Sequence, residues 1–121
     1  MNWIIAYYNK RVQDKILDLP WSLLARFIRI TEIMIDSGPN LGLPHTKAMS
    51  GGLFELRLKG QEGIARVLYC TLVGRKIVML YMFIKKTQKT PAHELLIAKK
   101  RMQEVKNETN KSWGLCKKSL I

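Results

Sequence analysis

Acidic residues are scarce in this chain. Nine Asp and Glu stand against 21 Lys and Arg in 121 residues, a formal charge of +12. An excess of that size repels itself and attracts polyanions. It puts nucleic acid first among partner classes, ahead of an anionic membrane surface and an acidic protein. Cysteine is as sparse: Cys70 sits in an apolar run and Cys116 in a polar tail. Two cysteines so far apart make neither a zinc site nor a disulfide framework, and a reducing cytoplasm is the expected setting. The longest apolar run, IVMLYMFI at 77–84, is far too short to span a bilayer. The start, MNWIIAYYNK, lacks the small-residue cleavage pattern of a signal peptide. Catalytic motifs are missing too. His93-Glu94 does not continue into a metal-binding HExxH, because position 97 is Ile, and there is no GxxxxGK[ST] loop or GxSxG elbow. No metal and no cofactor is expected.

What is present is a regular alternation of patterns. Residues 3–8, WIIAYY, read as a first strand. Val12, Ile16 and Leu19 recur at helical spacing until Pro20 interrupts. From Trp21 to Ser37, Leu24, Phe27, Ile28, Ile30 and Met34 form an apolar face. Gly38-Pro39 stops that helix, and the two helices, joined almost directly, are expected to form a hairpin. Residues 38–52 read as a loop. Three strands follow at 53–59, 64–73 and 76–84, with connections so short that antiparallel pairing is expected. The last two are apolar on both faces, as central strands are. A final helix should start near Pro91 with Thr90 as its cap and an apolar stripe of Leu95, Ala98, Met102 and Val105. The expectation is an α+β domain of order β-α-α-β-β-β-α over residues 1–110. It has an antiparallel sheet, the helices on one face, the other face partly open, and a basic tail at 111–121.

The charge has a pattern. In LFELRLK, Phe54, Leu56 and Leu58 share one side of a strand, and Glu55, Arg57 and Lys59 the other. In the next strand Arg66 shares a side with Leu68 and Cys70. In the last, alternation puts Tyr81, Phe83 and Lys85 on one side and Leu80, Met82, Ile84 and Lys86 on the other. The stretch KKTQKTPAHE, from Lys85 to Glu94, then places three lysines where a strand hands over to a helix. A helix N-terminus already favours anions, so lysines gain nothing from its dipole and are better explained by a phosphate held there. Cations and aromatics on a sheet suit single-stranded RNA, whose bases stack while its phosphates are held. Tyr81 and Phe83 in so apolar a strand also fit a core, and Arg57 a solvated face.

LPHTKAMSGGLFELRLKGQEGIARVLYC and IVMLYMFIKKTQKTPAHELLIAKKR together resemble the RelE/HigB-like toxins of type II toxin–antitoxin systems, in particular their phage-derived, HigB-like branch. The matching features, in order, are the Lys of LPHTK, GLFELR, the Arg of ARVLY and FIKKTQKTP. They fall within residues 3–107. The resemblance implies a RelE/ParE-like toxin fold with a concave basic face. It implies a ribosome-dependent mRNA endoribonuclease that inhibits translation in the cytoplasm. It implies a cognate helix-turn-helix antitoxin that neutralises the toxin, expected to contact the basic face. By the same resemblance Lys47, Arg57, Arg66 and Lys86 are the expected catalytic positions, with Lys89 in the basic run after the last strand. Many relatives carry His-Gly before the Phe of the last strand, where this chain has Tyr81-Met82.

Metal-free RNA cleavage uses the 2′-OH as nucleophile, and charge develops on the phosphate oxygens. Arg57 and Arg66 suit that charge, because a guanidinium fork matches phosphate geometry. A lysine crowded by cations has its pKa lowered, which makes Lys86 or Lys47 the expected proton shuttle. Lys85, Lys89, Tyr81 and Phe83 are the expected RNA-binding residues. Two other readings stay open: a ParE-like poison of DNA gyrase on the same fold, and a non-enzymatic RNA- or ribosome-binding module.

Overall fold

The structure, a computed structural model, describes residues 2–85 and 91–108. Strand β1 (Ile4–Tyr7) leads into α1 (Lys10–Leu17) and α2 (Trp21–Ser37). Strands β2 (Thr46–Ala48), β3 (Phe54–Gly60), β4 (Gly63–Leu72) and β5 (Lys76–Ile84) follow, and α3 (Ala92–Asn107) closes the order. The five strands form one sheet in the order β1-β5-β4-β3-β2. The α+β class, the two N-terminal helices on one face, the antiparallel run β3-β4-β5 and the central places of β4 and β5 are as expected.

Three features differ from the expectation. The sheet is mixed, because β1 runs parallel to β5, with Ile5 beside Ile77. The α1–α2 segment carries the chain across the sheet, so β1 and β5 can run the same way. Second, the stretch read as a loop contains β2, which pairs Thr46 with Leu56. Third, the helices lie on both faces. Ile16, Phe27 and Met34 of α1 and α2 pack with Leu56, Leu58, Val67 and Met79. Ala98, Met102 and Val105 of α3 pack with Leu68, Cys70, Val78 and Leu80 on the opposite face.

Local chemistry explains the elements. Asn9 caps α1, its side chain accepting a 2.9 Å bond from Val12 N, and Val12 and Ile16 are buried at i, i+4 spacing. Helix α2 begins after Pro20 with no side-chain cap of its own. Instead Glu62, from the β3–β4 turn, accepts bonds from the Ser22 N–H and hydroxyl. This supplies the carboxylate that a helix start favours. The buried stripe of α2 is Leu23, Phe27, Ile30, Thr31 and Met34, with Leu24 and Ile28 half-buried beside it. Helix α3 starts at Ala92 behind Pro91, one residue later than expected, and its expected stripe faces the sheet. Thr90 and the tail lie outside the described residues.

A β-bulge in β5 redirects the end of the strand. Tyr69 pairs with Met79 and Leu68 with Tyr81, which leaves Leu80 without a partner in the ladder. Arg101 of α3 fills the gap by donating a 2.8 Å bond to the Leu80 carbonyl. The same guanidinium lies 4.6 Å from the Tyr8 ring centroid and 5.4 Å from that of Tyr81. Tyr8 donates to Glu104 at 2.8 Å and Tyr81 to Glu94 at 2.7 Å, so α3 is fastened to the sheet at the bulge.

Candidate active site and nucleic-acid interface

The bulge decides which side chains meet. Leu80 and Tyr81 both fall on the α3 side, whereas plain alternation separates Tyr81 from the leucines before it. Beyond the bulge Phe83 stands directly across from Arg66, and Arg66 directly across from Arg57. The next row joins Lys47, Glu55, Leu68 and Tyr81. Lys85 extends the ladder by donating its backbone N–H to the Ile64 carbonyl at 2.8 Å. Register therefore brings Lys47, Glu55, Arg57, Arg66 and Lys85 to one face, at the end of the sheet that α3 leaves uncovered.

Two arginines opposite each other on neighbouring strands repel, and Arg66 is only 4% exposed. Glu55, itself 3% exposed, offsets that repulsion. Its Oε1 lies 3.5 Å from Arg66 Nε, an ion-pair contact without hydrogen-bond geometry. Arg66 also donates an Nη to the Ala65 carbonyl at 3.3 Å, while its Nε finds no hydrogen-bond acceptor among the described residues. A buried guanidinium with an unused donor is suited to receiving an anion. Burial lowers the Arg66 pKa, Glu55 opposes the shift, and the nearby Arg57 charge adds to it. A guanidinium starts so high that it stays a cation.

Lys85 lies within this group of charges. Its pKa is lowered first by burial, then by Arg66, with Glu55 opposing and Arg57 and Lys47 adding to the fall. Lys85, which the sequence had marked only for RNA binding, thus shows the lowering expected of a lysine crowded by cations. Lys86 and Lys89 lie outside the described residues. Lys47 is exposed, across from Glu55. Tyr81 faces the site's side of the sheet but is half-buried. Its hydroxyl is held by Glu94, and Lys15 Nζ sits 5.8 Å from its ring. Burial, reinforced by Glu94, pushes its pKa up to about 12, so it stays a neutral phenol. Phe83 requires a correction: at 5% exposure it belongs to the core under α3, its ring 6.2 Å from that of Tyr81. It supports the site from below and offers no open face to a base.

Glu55 is the residue the sequence reading passed over. A glutamate in an alternating strand reads as a solvent-facing charge. Only the register, with Lys47 on one side and Arg66 on the other, makes it a buried carboxylate at the centre of a cationic group.

A cleft of about 580 Å³ opens from this group. Arg57 and Arg66 form its floor, Leu43, Pro44 and His45 one wall, and Ile64, Lys59 and Arg26 the other. The loop wall is anchored from below. Tyr69 donates its hydroxyl to the Pro39 carbonyl, and Thr46 Oγ1 accepts from Gly42 N at 2.8 Å. Among the described residues no group of three or more His, Cys, Asp or Glu side chains could hold a metal ion, and no helix is long and apolar enough to cross a membrane.

Fold and site together define a small α+β domain with a cationic, cleft-bearing sheet face. Residues 14–103, from inside α1 to the last turns of α3, match the family model described as phage-derived protein Gp49-like (DUF891), and the chain belongs to that family. The family is associated with RelE/HigB-like toxins of toxin–antitoxin systems. No curated protein matches the chain.

Proposed function

We propose that this protein is the toxin of a type II toxin–antitoxin pair and cuts messenger RNA on the ribosome. The observation that carries the reading is the cross-strand Arg57–Arg66 pair, with buried Glu55 ion-paired to Arg66 and Lys85 at the border. Like charges facing each other in a sheet are unfavourable without an anion to share. A phosphodiester is that anion.

In the proposed reaction the 2′-oxygen attacks the adjacent phosphorus and the bond from phosphorus to the 5′-oxygen breaks. The products are a 2′,3′-cyclic phosphate and a free 5′-hydroxyl. Arg57 and the unused donor of Arg66 stabilise the charge that grows on the equatorial oxygens. Glu55 takes the 2′-OH proton, and Lys85 gives a proton to the leaving 5′-oxygen, helped by a pKa below that of an ordinary lysine. Lys47 remains a proposed contributor of positive charge at the rim, and Lys86 a proposed catalytic residue. Tyr81 is proposed as a border for the bound RNA. The proposed neutraliser is an antitoxin whose acidic segment covers this face, with binding that weakens steeply as salt rises.

The test is to induce the protein in cells and map message ends. New 5′-hydroxyl ends within translated messages, lost in Arg57→Ala, are expected. Intact messages accompanied by a DNA-damage response would move the assignment to gyrase. Arrested translation with no new ends would leave a binder that does not cut.

A further inference from the structure

The cleft does not stop at the two arginines, and its remaining part has no role in the reaction above. Strand β2 is three residues long and its pairing ends at Thr46–Leu56. Past that point, among the described residues, one backbone bond, from Arg57 N to the His45 carbonyl at 2.8 Å, covers the outer edge of β3. The cleft therefore runs over the sheet edge toward the opposite layer. There Ser22 is tied to Glu62, which fixes the start of α2 against the β3–β4 turn. Arg26, four residues on, shares that helix face, and so reaches the cleft from the far side of the sheet. Lys59 follows Arg57 by two residues on the same face of β3, about 6.6 Å along the strand. That is close to the step between successive phosphates of a stretched single strand. Among the described residues neither Arg26 nor Lys59 is ion-paired. The facing wall is apolar, and Leu43 at its lip is 65% exposed.

We propose that this outer part of the cleft seats the nucleotide next to the scissile phosphate. Lys59 and Arg26 hold its phosphate, and its base lies against Leu43 and Pro44. The RNA is thus led from the Arg57–Arg66 pair around the edge of β3. The cleft volume falls within the roughly 300–1,000 Å³ of sites that enclose a drug-sized ligand, enough for one nucleotide. Stacking accepts any base but not equally, so this wall sets a preference at one position beside the cut. The inference rests on the RNA-cutting reading and adds a specificity site to it.

The experiment is end mapping in a translation extract supplied with purified full-length protein. Leu43→Ser, at an exposed position, is expected to keep cutting while changing the base preference at a single flanking position by about 5-fold or more. Arg26→Ala with Lys59→Ala is expected to lower cutting evenly across sequences. It should also make the salt dependence shallower by about 0.7 in log–log slope per cation removed. Arg11→Ala, an exposed cation on α1, is the control and should change neither. Cutting with an unaltered preference in Leu43→Ser and an unaltered slope in the double variant would overturn the subsite alone. If the wild type makes no cuts, the RNA-cutting reading fails first and takes the subsite with it.

Discussion

The two faces of the sheet are built from the same strands under opposite rules. On the α1–α2 side, Leu56, Leu58, Val67, Met79 and Met82 are all buried and apolar along the whole length of the strands. On the α3 side, Cys70, Val78 and Leu80 are equally dry, but one end of the same strands carries Glu55, Arg57 and Arg66. Four described polar or charged residues are buried: Thr31, Thr46, Glu55 and Arg66. The two threonines are satisfied locally, Thr31 by donating to the Phe27 carbonyl and Thr46 by accepting from Gly42. Arg66 is not, since its Nε finds no hydrogen-bond acceptor among the described residues. Burying an ion pair is at best a weak source of stability. The first face exists to hold the fold. The second sacrifices part of its core for a charged group whose remaining needs a ligand can meet.

Substitutions can break that contrast. On the dry face, Leu56→Ala should cost about 2–5 kcal/mol in a thermal or urea melt. Cutting per folded molecule should be unchanged. On the charged face, Arg57→Ala should do the reverse. Cutting should fall about 10²- to 10³-fold, measured as 5′-hydroxyl ends, with a melt within about 0.5 kcal/mol of the wild type. Equal damage to both properties from either variant would erase the distinction. At the edge where the faces meet, Gly60 lies against Ser22 so closely that an added Cβ collides with its side chain. Gly60→Ala should therefore cost about 1–3 kcal/mol in the melt. Arg101→Ala should cost about 1–2 kcal/mol, through the lost bond to Leu80 and the lost ring contacts.

The smallest effect is one of pH. Glu55 is the group that raises the Lys85 pKa against burial and the neighbouring cations. Glu55→Gln removes that support, so Lys85 loses its proton at lower pH. The alkaline limb of whatever cutting remains should then move to lower pH. A limb that stays in place would argue that Lys85 is not the proton donor. The linkage to stability has a definite sign. A lysine with a depressed folded pKa costs stability while it is charged, and that cost is relieved as pH rises toward its ordinary 10.5. The gap between Lys85→Gln and the wild type in a melt should therefore narrow as pH rises through the alkaline range.

Much of this was legible in the sequence. The alternation in LFELRLK fixed the side of Arg57, because Leu56 and Leu58 had to be buried. The turn at Gly74-Arg75 is as expected, with both residues at positive φ (90° and 60°), the backbone a two-residue hairpin turn requires. The rest depended on contacts between distant segments. The parallel pairing of β1 with β5 has no local signature. Strand β2 is too short to show a period and is hidden between a proline and a glycine pair. Register made Glu55 a partner of Arg66, and register is a property of two strands at once. Alternation along β5 holds through Leu80 and changes phase at Tyr81, since nothing in IVMLYMFI distinguishes a bulge from a regular strand.

That extra residue has a consequence for how the chain tolerates change in length. Leu80 can be exchanged for another aliphatic side chain at modest cost. Deleting it would let the strand pair regularly from Met79 to Tyr81 with every later side chain on its present face, because the bulge holds the one extra residue. Drawing Leu80 into regular pairing is a different event. Tyr81 and Phe83 would then point into the layer under α1 and α2, Met82 and Ile84 would face the arginines, and Lys85 would leave the charged face. The sequence of the strand would be unchanged, yet its phase would be lost. In this protein a bulge in the middle of a hydrophobic run keeps the charged face and the core in step.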